Sequence, residues 1–420
     1  MDFYTVLVYI LGYIGILAAS FYAISLFTYY KKKKEPKHST KEKVSIIIPA
    51  YNEEESIEKT IESALNLDYP KNNLEIIVVD DGSKDSTYEK VLRVAKKSKM
   101  IRVYSKKNGG KASALNYGLK KSKGEIIVSM DADSFASKET LKIMMGYFRD
   151  EKVALVSPSM GISNPKGFLG RIVHIEYYMG VFLRKSFAAL DAIHVTPGAF
   201  SAYRKKFLDE YGGWEEGNIT EDFELALRIQ SKHKKIENAE KGVVYTISPS
   251  TFKGLLRQRL RWNVGFMKNL WNYKRIFGIE YGALGLIVLP VAVLTILLSV
   301  VLTGYIFIKT GIDLFHNFLI LESINFHFSN IFEFNKYVFE RLYISLFSNP
   351  LFMISIVFIL LIAFYVIFSR KKILYSESLK INFVLFILFY SILYSFWWVV
   401  AFFYSAFGKE VAWRNKSGKN

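Results

Sequence analysis

From residues alone the chain is expected to hold an α/β domain with a largely parallel sheet, inserted between transmembrane helices and accompanied by amphipathic interface helices. Two observations carry this expectation. Between Val44 and about Ile247, short β-branched runs alternate with helical segments, as in strand–helix units. On either side stand apolar runs long enough to cross a ~30 Å hydrocarbon core, which takes about 20 helical residues. Composition agrees, since 51% of the 420 residues are apolar and 16% aromatic, too greasy for an ordinary soluble enzyme.

Taken in order, Phe3 to Tyr30 forms the first apolar run. No basic stretch precedes it, whereas a cleaved signal would show one before a shorter apolar core, so an uncleaved span is expected. Lys31 to Lys34 then mark the cytoplasmic side. Strands follow at Val44–Ile48, Glu75–Val79, Met100–Tyr104, Glu125–Met130 and Val153–Val156. Asp85-Ser86-Thr87 and Ser137-Lys138-Glu139 supply polar caps to helices at Tyr88–Lys97 and Leu141–Phe148. Phe168–Leu190 and Phe252–Phe277 are amphipathic and suit the headgroup plane; the first equally suits a surface helix packed on the domain. Three further apolar runs cover about 283–308, 350–369 and 381–407. The connector 310–349 carries Asp313, Glu322, Glu333, Lys336, Glu340 and Arg341, which argues against crossing lipid. The chain thus divides into 1–43, 44–249, 250–280 and 281–420. Arg370, Lys371 and Lys372 fit a cytoplasmic turn. Four spans from an external amino terminus leave the tail outside, against the preference of Lys409, Arg414, Lys416 and Lys419.

The absence of cysteine excludes disulfides, thiolate catalysis and cysteine-ligated zinc. A formal charge of +18 would suit nucleic acid, but the basic residues are spread rather than striped. Anionic lipid headgroups and a phosphorylated small molecule are the expected partners.

Six motifs place chemistry along the chain. Pro49-Ala50-Tyr51-Asn52-Glu53 and Asp80-Asp81-Gly82-Ser83 each end a strand, where carboxylates can read a base N–H and ribose hydroxyls; Asp-Gly after a strand is also an ordinary turn. Asn108-Gly109-Gly110-Lys111 opens a helix reaching Leu119, with backbone amides and an ammonium group suited to an oxyanion, and lacks the Walker spacing. In Asp131-Ala132-Asp133, residues two apart in an extended segment face one side, so two carboxylates can hold one magnesium or manganese ion and leave room for a pyrophosphate. Thr220-Glu221-Asp222 opens a helix as either a cap with acids on its dipole or a source of a general base. Gln258, Arg261 and Trp262 offer an amide, a guanidinium for a diphosphate and an aromatic face for a sugar, or else anchor the helix at headgroup depth.

Jointly these motifs resemble glycosyltransferase family 2, above all its membrane-embedded branch of hyaluronan, chitin, cellulose and poly-N-acetylglucosamine synthases. The resemblance implies a GT-A-type (Rossmann-like) cytosolic domain, a nucleotide-sugar donor, an inverting single displacement and a magnesium or manganese cofactor. It also implies roles. Pro49, Tyr51, Glu53, Asp80, Asp81, Lys111, Asp131, Gln258 and Arg261 would bind the donor, and Asp131 and Asp133 the metal. Asp222 would be the base, with Glu221, Trp262 and Gly198 on the acceptor. Pro197-Gly198-Ala199-Phe200 and Gly212-Gly213-Trp214 look like acceptor-side segments. No Phe-x-Val-Thr gating loop is present, and Ile247-Ser248-Pro249 stands where many relatives carry an acid before the proline. The expected activity is sugar transfer to a growing polysaccharide with passage through the spans, where Tyr390, Tyr394, Trp397 and Trp398 line a sugar path or form an aromatic belt. Transfer of one sugar to a lipid-linked acceptor, and a non-catalytic membrane scaffold, are the rival readings. The sugar and the oligomeric state are left open.

Overall fold

The structure is a computed structural model and describes residues 3–32, 35–163, 165–323, 336–371 and 379–409. Lys33, Lys34, Glu333, Lys372, Arg414, Lys416 and Lys419, invoked above for topology, lie outside these residues.

Helix α1 (Phe3–Lys32) leads into β1 (Val44–Ala50), α2 (Ile57–Leu65), β2 (Leu74–Asp80), α3 (Thr87–Ala95), β3 (Ile101–Ser105), α4 (Lys111–Lys121) and β4 (Ile126–Met130). These four strands lie parallel in the order β3-β2-β1-β4. β1, β2 and β4 are covered on both faces and read as nearly continuous apolar runs, whereas the edge strand β3 is largely half-buried. In β1 the strand period of two sends Ile46 and Ile48 to a core shared with Ile57 and Ile61 of α2, and Ile47 to a core shared with Leu115 of α4.

The sheet continues through β5 (Ser134–Ala136), β6 (Val153–Ile162), β7 (Phe200–Arg204) and β8 (Lys235–Thr246) in the overall order β3-β2-β1-β4-β7-β6-β8-β5. It is more mixed than expected. β7 runs antiparallel to both β4 and β6, and β5 antiparallel to β8. Short helices α5 (Thr140–Met145) and α7 (Lys205–Tyr211), with α8 (Glu221–Ser231), fill the connections.

Of three expected caps, one forms and two do not. Within Asp85-Ser86-Thr87 it is Asp85 that closes the start of α3, its Oδ1 accepting from the Thr87 amide (3.0 Å) and hydroxyl (2.5 Å). Glu139 precedes α5 without a side-chain cap. Thr220 precedes α8 without capping it, because its Oγ1 accepts instead from Asn269 Nδ2 at 2.9 Å. At α8 a tertiary donor outcompetes the local amide.

Helix α6 (Gly167–Ala189) does not lie open on a surface. It is packed between β6 and β8 on one side and α1, α12 (Pro350–Arg370) and α13 (Lys380–Ala406) on the other. Phe182 stacks on Tyr365 of α12 with ring centroids 3.8 Å apart, and Ile175 and Tyr178 join Val366 and Phe386 in one cluster. Helix α9 (Phe252–Asn272) packs against α13 and α8. Beyond it, α10 (Leu289–Ser323) continues well into the expected connector, which also holds α11 (Lys336–Phe347). At 1.5 Å per residue the 35 residues of α10 run about 52 Å, far beyond a ~30 Å core, so its charged second half has room outside lipid. Among the described residues, four segments are long and apolar enough to cross a membrane: Thr5–Lys31, Leu284–Ile320, Pro350–Arg370 and Lys380–Ala406.

Candidate active site

The carboxyl ends of β1, β2 and β4 open where β1 pairs with β2 on one side and β4 on the other, the point at which an open α/β sheet binds ligands. A cavity of about 1110 Å³ lies there, walled by these strand ends, α6, α8, α9 and α13. Pro49, Tyr51, Glu53, Asp81, Lys111, Asp131, Asp133, Gly198, Glu221, Asp222, Gln258, Arg261 and Trp262 all line it. Asp80 does not. Its carboxylate accepts from Ser105 Oγ (3.1 Å) and the Ser83 amide (3.4 Å), tying β2 to β3 and to its own turn. Gly212, Gly213 and Trp214 also lie away from the cavity, with Trp214 buried edge-on against Tyr203 (5.3 Å).

The glycine turn before α4 is already occupied. Asp81 Oδ2 accepts from the Gly110 amide (2.7 Å), Oδ1 accepts from the Gly109 amide (3.1 Å), and Lys106 Nζ stands 2.7 Å from Oδ1. The anion at this helix start is therefore the protein's own carboxylate, which corrects the expectation of an open oxyanion cradle. Gly110 sits at φ +88°, a conformation that a side chain would strain.

Lys111, the first residue of α4, points to the centre of the site. Its Nζ lies 2.6 Å from Asp131 Oδ1 and 3.0 Å from Glu221 Oε1, joining the β4 end to α8. Asp131 and Asp133 reach the cavity from a turn rather than an extended segment, since the Ser134 amide donates to the Asp131 carbonyl (3.1 Å). Buried Thr60 Oγ1 holds that turn by donating to the Ala132 carbonyl at 2.7 Å. Burial pushes the Asp133 carboxyl up to about 7, aided by the negative charges of Asp131 and Glu53. Among the described residues no cluster of three or more His, Cys, Asp or Glu has metal-site geometry. Two crowded carboxylates beside open space fit a divalent ion that takes its other oxygens from substrate and water.

Asp222 is held by two backbone amides. Its Oδ2 accepts from the Gly198 amide (3.0 Å) and its Oδ1 from the Phe223 amide (2.8 Å). Burial and then the Glu221 charge raise its carboxyl to about 6, opposed by Lys111 and Arg261. Gly198 must lack a side chain here, because a Cβ would stand 2.7 Å from Lys111 Nζ and 3.1 Å from Asp222 Oδ2.

One pair escaped the reading of the motifs. Arg259, inside Gln258–Trp262, makes two 2.7 Å bonds to Glu176 of α6. Its guanidinium lies over the Trp262 ring (4.5 Å) and the Trp397 ring (5.1 Å), and Tyr390 hydrogen-bonds the same Glu176. The partners are 83 positions apart, so local sequence carried no signal of the contact. Tyr390 and Trp398 of α13 line the cavity, while Trp397 is buried behind them, an arrangement different from a lipid-facing belt.

This is the architecture of a GT-A-type domain joined to apolar helices. In comparison with known proteins, residues 45–212 match the family model for glycosyl transferase family 2. The chain is 29% identical over 262 residues, 59% of its length, to a poly-beta-1,6-N-acetyl-D-glucosamine synthase of Staphylococcus epidermidis. It is 30% identical over 226 residues, 53% of its length, to the protein of that name from Staphylococcus aureus strain COL. These matches take in 63% and 54% of the relatives, so the chain spans between half and two thirds of the curated relatives it matches. In fold it is similar to the mannosyltransferase PcManGT of Pyrobaculum calidifontis, solved with GDP-Man and Mn2+, at TM-score 0.52 and 24% identity over 72% of this chain and 92% of that one.

Proposed function

We propose that the protein is a membrane-bound inverting glycosyltransferase that moves a sugar from a nucleotide-sugar, a UDP-sugar, to a growing polysaccharide. The observation that carries this reading is a single cavity in which Asp131, Asp133, Asp222 and Arg261 meet two aromatic side chains of an apolar, span-length helix. The names of the synthase relatives support an N-acetylhexosaminyl donor and a polymer product.

In this reading Asp222 takes the proton of an acceptor hydroxyl, the acceptor oxygen bonds to the anomeric carbon, and the bond from that carbon to the diphosphate breaks with inversion. The electron pair leaves with the nucleoside diphosphate, which Arg261 stabilises while Trp262 carries the acceptor sugar on its ring. Asp131 and Asp133 would hold magnesium or manganese, which when bound neutralises the departing charge. Lys111 keeps Asp131 and Glu221 in register. Tyr390 and Trp398 extend the aromatic surface along α13, the direction in which product leaves. Four span-length helices and the basic end of α1 support a multi-pass plasma-membrane protein with the sheet domain in the cytosol.

The test is a donor screen on the full chain in nanodiscs, with UDP- and GDP-sugars, with and without Mg2+ or Mn2+, following released nucleoside diphosphate and product length. Long products from a UDP-N-acetylhexosamine are expected. Products with one added sugar on lipid would replace the polymer by a lipid-linked acceptor, and absence of turnover with every donor would overturn the enzymatic reading in favour of a scaffold.

A further inference from the structure

One cation of the cavity has no place in the chemistry above. Arg184 of α6 lines the cavity, and among the described residues no carboxylate stands within ion-pair distance of it. Its guanidinium donates from Nη1 to the Pro158 carbonyl of β6 at 3.3 Å. The other cations that have lost water here are compensated: Lys111 by Asp131 and Glu221, and Arg259 by Glu176. Arg257 also lacks an ion pair, but it stands one helical turn before Arg261 on the wall assigned to the donor.

The space in front of Arg184 is built into α6. Tyr177, Gly180 and Arg184 fall on one helical face at i, i+3 and i+7, and all three line the cavity. Helical side chains lean toward the amino terminus, and Arg184 folds back so that its Nη2 comes 4.0 Å from where a Cβ on Gly180 would stand. Met160, Met179 and Leu183 make the neighbouring wall apolar. Burial lowers the guanidinium to about 10 with no carboxylate opposing the shift, so it stays charged at neutral pH and uncompensated. A planar guanidinium with free N–H groups in a part-dry cavity matches the bidentate geometry of a phosphate.

We propose that Arg184, with Gly180 leaving room and Tyr177 beside it, forms a second phosphate site on the α6 wall, apart from the donor's diphosphate, which takes a phosphate group carried by the acceptor. This deepens the transferase reading and rests on it. The phosphate belongs either to a lipid carrier, with its chain along Met160, Met179 and Leu183, or to a soluble sugar phosphate.

Binding separates the possibilities without relying on turnover. The full chain in phosphatidylcholine nanodiscs would be titrated with a polyprenyl phosphate, with N-acetylglucosamine 1-phosphate and with a neutral N-acetylglucosamine trisaccharide, each with and without saturating UDP. The expected result is that a phosphate-bearing probe still binds with UDP present, and that R184M weakens it at least tenfold while changing the trisaccharide less than twofold. R184K should recover part of the loss. Gly180→Leu, which keeps the charge and fills the space, should weaken the same probe and serves if R184M does not fold. Whichever phosphate probe shows the effect names the source. Equal losses for phosphorylated and neutral probes, or displacement of the phosphate probe by UDP, would overturn the site. Donor turnover measured in parallel reports on the transferase reading independently, since it can fail while phosphate binding persists, and the reverse.

Discussion

The contact between Arg259 and Glu176 makes a quantitative test of how α9 is held against α6 and α13. Arg259 is 6% exposed and Glu176 21%, so the pair is desolvated mainly on the arginine side. Removing one partner of a fully buried pair costs about 3–5 kcal/mol. Cavity water at Glu176 reduces that figure, while loss of stacking between Trp262 and Trp397 adds about 1 kcal/mol. R259M should therefore destabilise the protein by roughly 2–3 kcal/mol. E176Q, which keeps an acceptor for the guanidinium, should cost about 1–2 kcal/mol. In the double mutant the two effects should fall short of their sum by about 1–2 kcal/mol. Chemical unfolding in detergent, followed by tryptophan fluorescence, reads these values. The donor KM should rise with them, because Arg261 and Trp262 ride on the same helical turn. Additivity within about 0.5 kcal/mol, or an unchanged KM in R259M, would refute the idea that this pair positions the donor helix.

Three further outcomes follow from the geometry. A base raised to about 6 must lose its proton to act, so kcat/KM should climb as pH rises through 6; at pH 5 only about one tenth of Asp222 is ionised. A pH–rate profile flat from 5 to 7.5 would exclude Asp222 as the base, and D222N should abolish transfer at every pH. Because the Asp133 carboxyl is pushed up to about 7, protons and the divalent ion compete for it. The Mn2+ concentration giving half-maximal turnover should then rise as pH falls from 7.5 to 6, and D133N should remove that dependence along with most activity. Finally, a Cβ on Gly265 would lie 2.2 Å from Thr220 Oγ1, so G265A should cost about 1–3 kcal/mol despite its better helix propensity, and thermal unfolding in detergent would show it.

Much of the layout could be read along the chain because its causes are local. The β-branched runs at Ile46–Ile48 and Ile76–Val79 report burial on both faces, and the apolar lengths report lipid. Strand ends place Asp81, Asp131 and Asp133 by the rule that open α/β sheets bind ligands there. The caps were less legible, since Thr220 found a stronger partner in Asn269 than its own helix offered.

Residue order thus pointed to most of the motif residues that meet in the cavity, because period and motif spacing act over a few positions. It did not settle their partners. That Asp81 rather than a ligand fills the Gly109–Gly110 turn, that Asp80 turns to Ser105, and that Arg259 finds Glu176 are all contacts between distant segments. So is the burial of α6 between the sheet and three apolar helices, which leaves Arg184 facing the cavity without a counter-charge among the described residues. Such pairings are chosen by the packing of whole elements, where desolvation decides which charges must meet, and no spacing along the chain encodes that choice.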